Sequence, residues 1–199
     1  MDEGASLEAP APFAIPDPVL FYGTSITQGG CASRPGLSYQ SMLARELNID
    51  YANFGFSGRG KAEASVAGAL AEVTTSCFVI DGVQNASVKE LEARFRPFLK
   101  IVRAAQPQTP ILAVTGVFSG VELWSDSEHQ IREQKRETIR RVVRDEQPAD
   151  PGLHLLEALD YFGSDVTDGS VDGTHPNEIG FTRIAAGMKP CLARILGLA

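Results

Sequence analysis

The stretch VLFYGTSITQGG, residues 19–30, changes within five positions from large apolar side chains to glycine, threonine and serine. Its apolar half predicts a short strand that is buried on both faces of a sheet. Its second half predicts a loop at the carboxyl end of that strand, because glycine and hydroxyl-bearing residues favour turns and caps. We therefore expect the hydroxyl groups of Thr24, Ser25 and Thr27 near one edge of a sheet.

The same alternation of apolar runs and helix-like segments continues along the chain. Five runs are typical of buried strands, namely VLFY, DYANF, CFVI, PILAVTG and LHLL. Five segments with helical character lie at about residues 38–47, 61–72, 88–105, 128–146 and 177–196. Strands that alternate with helices pair in parallel, since each crossover carries its helix to one face of the sheet. The sequence predicts an α/β fold, a three-layer α/β/α sandwich with a five-stranded parallel sheet.

This pattern predicts one domain at residues 19–199. Residues 1–18 contain four of the twelve prolines and no apolar periodicity, so we expect an extended, proline-rich N-terminal segment. Ligands of such sheets bind beyond the carboxyl ends of the strands. The segments expected to meet there are GTSITQGG, GFSGRGK, DGVQNAS, GVFSGVELW and DGTHPN.

Charge and composition narrow the possible classes of function. The formal net charge of -7 disfavours a nucleic acid partner, which would require clustered Lys and Arg. No apolar run approaches the roughly 20 residues that span a bilayer, and the first residues do not resemble a signal peptide, so we expect a cytoplasmic protein without a membrane partner. The three cysteines match neither a disulfide framework nor a zinc site. We expect no metal and no cofactor.

Among the three histidines, His175 has the neighbourhood of a catalytic base. It lies in DGTHPN three residues after Asp172, and a turn at Gly173 would bring the carboxylate to the ring. A carboxylate partner fixes the tautomer whose other nitrogen accepts a proton. The alternative is that this segment only caps the following helix. His129 and His154 are predicted to have structural or solvated roles.

Ser25 is the first candidate for a nucleophile, and Thr27 is the second. Ser25 follows Gly23 and Thr24 at the carboxyl end of the first predicted strand, where its hydroxyl would project above the sheet. The pattern is not the G-x-S-x-G elbow of the α/β-hydrolases, because Thr27 stands at the second glycine position. The alternative for Ser25 is a cap or turn residue.

Two other segments offer donors for the oxyanion that forms during ester cleavage. The segment NFGFSGRG offers the backbone N–H of Gly58, and DGVQNAS offers the side-chain amide of Asn85. Each residue also has a local alternative, since Gly58 can mark a turn and Asn85 can cap the helix that begins near Val88. An oxyanion hole requires such donors to converge on one point.

The order of these segments resembles the SGNH hydrolases, also called the GDSL esterase and lipase family. GTSIT corresponds to the Gly-Asp-Ser-Leu block of the family, and GFSG corresponds to its glycine block. VQN corresponds to the Gly-x-Asn block, and DGTH corresponds to the Asp-x-x-His block. The resemblance covers about residues 19–196 and implies the flavodoxin-like SGNH hydrolase fold. The implied catalytic triad is Ser25, His175 and Asp172. The implied oxyanion hole is formed by Ser25 N–H, Gly58 N–H and Asn85.

Two blocks depart from the family pattern. Thr24 replaces the acidic residue of the first block, which removes a charge beside the nucleophile. In the third block Val83 stands where a glycine is usual, and Ala86 follows Asn85. Both departures leave the implied catalytic groups in place.

GFSGRGKA, residues 55–62, also fits the G-x-x-x-x-G-K part of a phosphate-binding loop. The residue after Lys61 is Ala62 rather than the Ser or Thr that would bind Mg²⁺, so nucleotide binding is disfavoured. Lys61 is expected to begin the following helix on its solvent side.

The segment FSGVELWSDS carries three large apolar side chains, Phe118, Leu123 and Trp124, with no obvious core to join. They either line the substrate pocket or pack against the end of the sheet. We take Thr24, Phe118 and Trp124 as candidate substrate-pocket residues.

These patterns together predict a serine esterase that forms an acyl-enzyme through a Ser-His-Asp triad. The Gly58 block and the short third block resemble those of family members that remove small acyl groups. The expected partner is a small-molecule ester with a short acyl group, such as O-acetyl on a sugar or on another small alcohol. The alternatives are an acyltransferase with the same site and a catalytically silent binding protein on this scaffold.

Overall fold

The structure, a computed structural model, describes residues 5, 6 and 8–198. The strands are β1 (Val19–Gly23), β2 (Tyr51–Gly55), β3 (Cys77–Asp81), β4 (Ile111–Val114) and β5 (Leu153–Leu156). The α-helices are α1 (Ser25–Gln28), α2 (Tyr39–Leu47), α3 (Ala64–Ala71), α4 (Val88–Ala105), α5 (Asp126–Glu146) and α6 (Glu178–Ile195). Short 3-10 helices lie at Pro35–Leu37, Gly120–Leu123, Ala158–Asp160 and Thr167–Gly169.

Residues 1–4 and 7 of the predicted N-terminal segment, residues 1–18, lie outside the described residues. Residue 199, the last of the predicted domain, also lies outside them. Residues 8–18 form no helix or strand. This stretch contacts the turn after α2, because the Ala14 N–H donates to the carbonyl of Asn48 and the Asn48 side-chain amide donates to the carbonyl of Pro12.

All five strands pair in parallel, in the order β2-β1-β3-β4-β5. The predicted α/β fold with a five-stranded parallel sheet is therefore confirmed. The chain passes from β1 to β2 on one side and then crosses to β3 on the other, so the strand order reverses at β1. At the carboxyl end of β1, Gly23 lies between Gly55 of β2 and Asp81 of β3. A reversal of strand order leaves a crevice at this edge of a parallel sheet.

Helices cover both faces of the sheet. Alternate side chains of β1 point to opposite faces, so Phe21 joins one core and Leu20 the other. On the Phe21 face, α2 and α6 contribute Tyr39, Leu43, Phe181, Ile184 and Met188. On the Leu20 face, α3, α4 and α5 contribute Leu70, Leu91, Phe95, Phe98, Ile139 and Val142.

Side-chain caps explain where the helices begin. Ser87 accepts from the N–H of Glu90, whose carboxylate accepts in return, so a capping box starts α4. Ser87 thus takes the cap position that was the alternative role for Asn85. Asn177 caps α6 and Ser38 caps α2.

The segment after β1 differs from the expected loop. Ser25–Gln28 forms one turn of α-helix, whose N-cap is Thr24 and whose C-cap is Gly29 in the left-handed conformation. The predicted helix at about residues 61–72 begins later, at Ala64. Within the described part of the chain, no helix is both long and apolar enough to cross a lipid bilayer.

Candidate active site

Ser25 occupies the first position of α1, directly above the carboxyl end of β1. The Thr24 side chain accepts from the N–H of Ile26, and the Thr24 N–H donates to Oγ1 of Thr27 at 3.2 Å. These two bonds form a reciprocal cap of the short helix. The Ser25 side chain is half-buried and faces the loop before α6.

The loop before α6 brings a histidine and a carboxylate to Ser25. Oγ of Ser25 lies 2.9 Å from Nε2 of His175, and Nδ1 of His175 lies 2.7 Å from Oδ2 of Asp172. Gly173, with a φ of 80°, makes the turn that folds the aspartate back towards the ring. With a proton on Nδ1 directed at Asp172, Nε2 is the acceptor for the serine hydroxyl proton.

Asp172 is held in its ionised form by its own loop. Its Oδ1 accepts from the backbone N–H groups of His175 at 2.7 Å and Thr174 at 2.9 Å. The hydrogen bond from the His175 N–H, followed by the one from the His175 ring, lowers the pKa of Asp172 to about 2. The carboxylate therefore keeps its charge across the pH range in which most enzymes operate.

Two of the predicted oxyanion donors, the backbone N–H groups of Ser25 and Gly58, have no hydrogen-bond acceptor among the described residues. Gly58 has a φ of 68° and open space where a Cβ would stand. The third predicted donor, the Asn85 side-chain amide, donates one proton to the carbonyl of Arg59 at 2.7 Å. An amide nitrogen carries two protons, so one donor of Asn85 remains for another acceptor. The bond to Arg59 ties the Gly58 and Asn85 loops together.

A buried carboxylate lies beneath α1. Oδ2 of Asp81, at the end of β3, accepts from the hydroxyl of Thr27 at 2.9 Å and from that of Tyr39 at 2.6 Å. The three side chains are almost completely buried. Burial raises the pKa of Asp81, and the two hydroxyl groups oppose this shift. Because Thr27 also accepts from the Thr24 N–H, Asp81 fixes the turn that carries Ser25.

The sequence patterns do not predict this hydrogen-bond network around Asp81. The available signal was a charged residue that ends an otherwise apolar strand, CFVID. A buried ionisable group of this kind needs hydrogen-bond partners. The partner Tyr39 lies 42 positions earlier in the chain, so no local pattern connects the two residues.

The candidate pocket residues separate into two groups. Thr24 is buried and caps α1, so its hydroxyl is occupied by the backbone rather than directed at a ligand. Phe118 and Trp124 line a cavity that borders Asp172. Trp124 is 72% exposed, so it does not pack into the core.

A buried ion pair holds the segment after β4. Arg136 of α5 forms two hydrogen bonds with the carboxylate of Glu122, at 2.7 and 2.9 Å, and two with the carbonyls of Gly116 and Val117. Both side chains of the pair are almost fully buried. The Glu122 carboxylate also lies 3.4 Å from Nδ1 of His129, whose ring is largely exposed.

The remaining motif residues have local partners. The backbone N–H of Lys61 donates to Glu63, and its ammonium lies 3.8 Å from Glu90. His154 lies on β5, where burial lowers its pKa.

Within residues 5, 6 and 8–198, no group of three or more His, Cys, Asp or Glu side chains is arranged to hold a metal ion.

The parallel α/β sheet thus brings Ser25, His175 and Asp172 together at the carboxyl end of β1. The sequence profile of the GDSL-like lipase/acylhydrolase family matches residues 16–193. The chain therefore belongs to this family, as the resemblance to SGNH hydrolases predicted. No protein with a curated description matches the sequence significantly.

Solved structures share the fold. A candidate GDSL-like lipase from Bacteroides ovatus is 32% identical, with a TM-score of 0.88 over 96% of this chain and 56% of its own. A salicylyl-acyltransferase from a tetracycline biosynthetic pathway is 20% identical, with a TM-score of 0.79 over 92% of this chain and 56% of its own. A family two carbohydrate esterase from Clostridium thermocellum is 18% identical, with a TM-score of 0.73 over 97% of this chain and 68% of its own. This chain thus spans little more than half of the first two proteins.

Proposed function

We propose that this protein is a serine esterase that cleaves carboxylic esters through an acyl-enzyme. The observation that carries the proposal is the pair of hydrogen bonds that links Ser25 Oγ to His175 Nε2 at 2.9 Å and His175 Nδ1 to Asp172 Oδ2 at 2.7 Å. A serine hydroxyl becomes a nucleophile when a positioned base accepts its proton, and a carboxylate holds that base in the required tautomer.

In the proposed reaction, His175 removes the proton of Ser25 as the oxygen attacks the ester carbonyl. The negative charge on the carbonyl oxygen is stabilised by the N–H groups of Ser25 and Gly58 and by the Asn85 amide. His175 returns its proton to the departing alcohol, which leaves an acyl-serine. Water then attacks the acyl-serine while His175 accepts its proton. The bond between the acyl group and Ser25 Oγ breaks, His175 returns the proton to that oxygen, and the acid is released. Asp172 stabilises the imidazolium in both steps.

The proposed substrates are small esters with short acyl groups, including O-acetyl groups on sugars or other small alcohols. Two observations support this class. The sequence blocks resemble those of family members that remove small acyl groups, and the fold is shared with a protein named as a family two carbohydrate esterase. The half-buried position of Ser25 is compatible with a small substrate that reaches the site from solvent.

A second candidate is acyl transfer to an alcohol or amine. The same residues would form the acyl-serine, and an acceptor would replace water in the second step. A salicylyl-acyltransferase shares the fold, which supports acyl transfer as the second candidate function. Analysis of the products with an added alcohol or amine acceptor distinguishes transfer from hydrolysis.

The test is the hydrolysis of p-nitrophenyl acetate, butyrate and octanoate by the protein and by Ser25→Ala. We expect turnover of the shorter esters to fall to background in Ser25→Ala, while circular dichroism shows an unchanged fold. Ser127→Ala, which alters an exposed serine near the start of α5, is the matched control and retains turnover. Equal rates for Ser25→Ala and the unaltered protein would refute the mechanism. Absence of turnover for every ester would favour a silent binding protein.

A further inference from the structure

A cavity of about 300 Å³ borders the loop that carries Asp172. One wall comes from the segment that follows β4, and the other comes from the segment between β5 and α6. The apolar lining consists of Phe118, Leu123, Trp124, Phe162, Val166 and Val171. The volume lies at the lower end of the roughly 300–1,000 Å³ that is typical of small-molecule sites.

The cavity has a fixed floor and an exposed apolar rim. Phe162 and Val166 are 2% and 5% exposed and belong to the core between the sheet and α6. At the rim, Leu123 and Val171 are 59% and 58% exposed, and Trp124 is more exposed still. Apolar side chains clustered at the mouth of a concave surface are characteristic of a binding site, since burying them in contact with a ligand is favourable.

Hydrogen bonds join the cavity walls to the candidate catalytic loop. The Gly173 carbonyl accepts from the Ser119 hydroxyl at 3.0 Å and from the N–H of Gly120. The Val171 N–H donates to the carbonyl of His175 at 3.0 Å. The rim residue Val171 is therefore hydrogen-bonded directly to the residue whose imidazole faces Ser25.

The lining also indicates which chemical groups fit. Among the residues that line the cavity, Asp172 is the one with an ionisable side chain, and its carboxylate is engaged with His175. An anionic group would approach this carboxylate without a cation to compensate its charge, and desolvation would add to the cost. An uncharged apolar group would contact the six apolar side chains instead.

We propose that this cavity is a subsite for an uncharged apolar group of the ester, between a propyl chain and a single benzene ring in size. The inference rests on the proposed esterase function and narrows its substrate class. Asp172 borders the cavity and is hydrogen-bonded to His175, whose ring is hydrogen-bonded to Ser25, so the cavity lies on the Asp172 side of the candidate triad. The apolar group belongs either to the acid or to the alcohol of the ester.

The expected effect on rate follows from the burial of methylene groups. Each buried methylene contributes about fourfold to kcat/KM when its transfer free energy is realised in the transition state. Butyrate has two methylenes more than acetate, so the preference for the longer ester reaches about fifteenfold if both are fully buried. Truncation of Leu123 or Trp124 in the cavity wall is expected to lower the preference for butyrate over acetate by about fourfold.

The experiment compares two series of esters in four proteins. The acyl series is p-nitrophenyl acetate, propionate, butyrate and benzoate, and the alcohol series is methyl, butyl and phenyl acetate. The proteins are the unaltered chain, Leu123→Ser, Trp124→Ala and Phe13→Ala. Phe13, which is 54% exposed and lies in the N-terminal segment, serves as the matched exposed aromatic control.

The proposal predicts that Leu123→Ser and Trp124→Ala lower the preference for the larger group in one series, while Phe13→Ala leaves it unchanged. A change in the acyl series assigns the cavity to the acid, and a change in the alcohol series assigns it to the alcohol. If acetate esters are hydrolysed and neither variant alters either series, the cavity is not a subsite and the proposed esterase function stands. If no ester is hydrolysed by any of the four proteins, both proposals are wrong.

Discussion

Asp172 contacts Nδ1 of His175, and Nε2 of the same ring faces Ser25. Asp172→Asn would place a donating amide beside Nδ1, which favours the tautomer with its proton on Nε2, directed at Ser25. That tautomer cannot accept the serine proton, so we expect kcat for a short-chain ester to fall by about 10³–10⁴-fold. Circular dichroism should show an unchanged fold.

The control is Asp168→Asn, which alters an exposed carboxylate in the same loop region. It should retain kcat within a factor of about two, since surface substitutions of this kind have small effects. A kcat for Asp172→Asn close to that of the unaltered protein would show that His175 does not depend on this carboxylate.

The same carboxylate gives a pH dependence of stability. The pKa of Asp172 is lowered to about 2, so its hydrogen bonds stabilise the fold above the ordinary aspartate pKa of about 3.9. This contribution is lost as the pH falls towards 2. The side chain is half exposed, and solvent screening limits the contribution to about 1 kcal/mol or less. Urea unfolding from pH 6 downwards should show that the stability difference between the protein and Asp172→Asn narrows in acid. A difference that stays constant with pH would contradict the assignment.

At the scale of elements, the short helix α1 depends on the carboxylate beneath it. Thr27→Val keeps the shape of the side chain but removes the hydroxyl that joins the Thr24 N–H to Asp81. An unpaired buried donor costs about 1–3 kcal/mol, so we expect a loss of that size in the free energy of unfolding. Ester turnover should fall as well, because α1 carries Ser25. Thr27→Ser, which retains the hydroxyl, should recover most of both properties.

The loop after β2 passes close to the end of β1. A Cβ at Gly60 would lie 2.1 Å from the carbonyl oxygen of Gly23, and the φ of 70° is also unfavourable for alanine. We therefore expect Gly60→Ala to lower the free energy of unfolding by more than about 1 kcal/mol and to displace the neighbouring Gly58 N–H. Gly68→Ala in α3, where a Cβ meets open space, should instead stabilise the protein by about 0.4–1 kcal/mol. Equal effects of the two substitutions would contradict the close approach.

Much of the element layout could be predicted from sequence because buried parallel strands have apolar runs and helices have recognisable starts. The short helix α1 could not be predicted, since four residues are too few for a helical period to show. The capping role of Thr24 depends on that helix, so the sequence did not predict it. The order of the sequence motifs singled out Ser25, His175 and Asp172. The role of Asp81 is visible only in the structure, where its partner Tyr39 lies beside it.

At the scale of the whole molecule, one buried ion pair joins α5 to the segment that forms the cavity wall. Arg136→Ala would leave the Glu122 carboxylate buried without its guanidinium partner. We expect a loss of about 3–5 kcal/mol in the free energy of unfolding, measured by urea denaturation. Arg144→Ala, on the exposed face of α5, should change it by less than about 0.5 kcal/mol. Sequence alone could not single out Arg136, because α5 contains several basic residues at similar spacing.

The sheet brings together groups that lie far apart in the chain. Ser25 and His175 are 150 positions apart, yet they meet because β1 and the loop before α6 open onto the same edge. We propose that this meeting makes Ser25 a nucleophile.

The most direct test is reaction with a fluorophosphonate probe, followed by intact mass and peptide mapping. We predict one adduct, located on Ser25, that is absent in Ser25→Ala and much slower to form in His175→Ala. The absence of an adduct in the folded protein, or an adduct on another residue that persists in Ser25→Ala, would show that Ser25 is not the nucleophile.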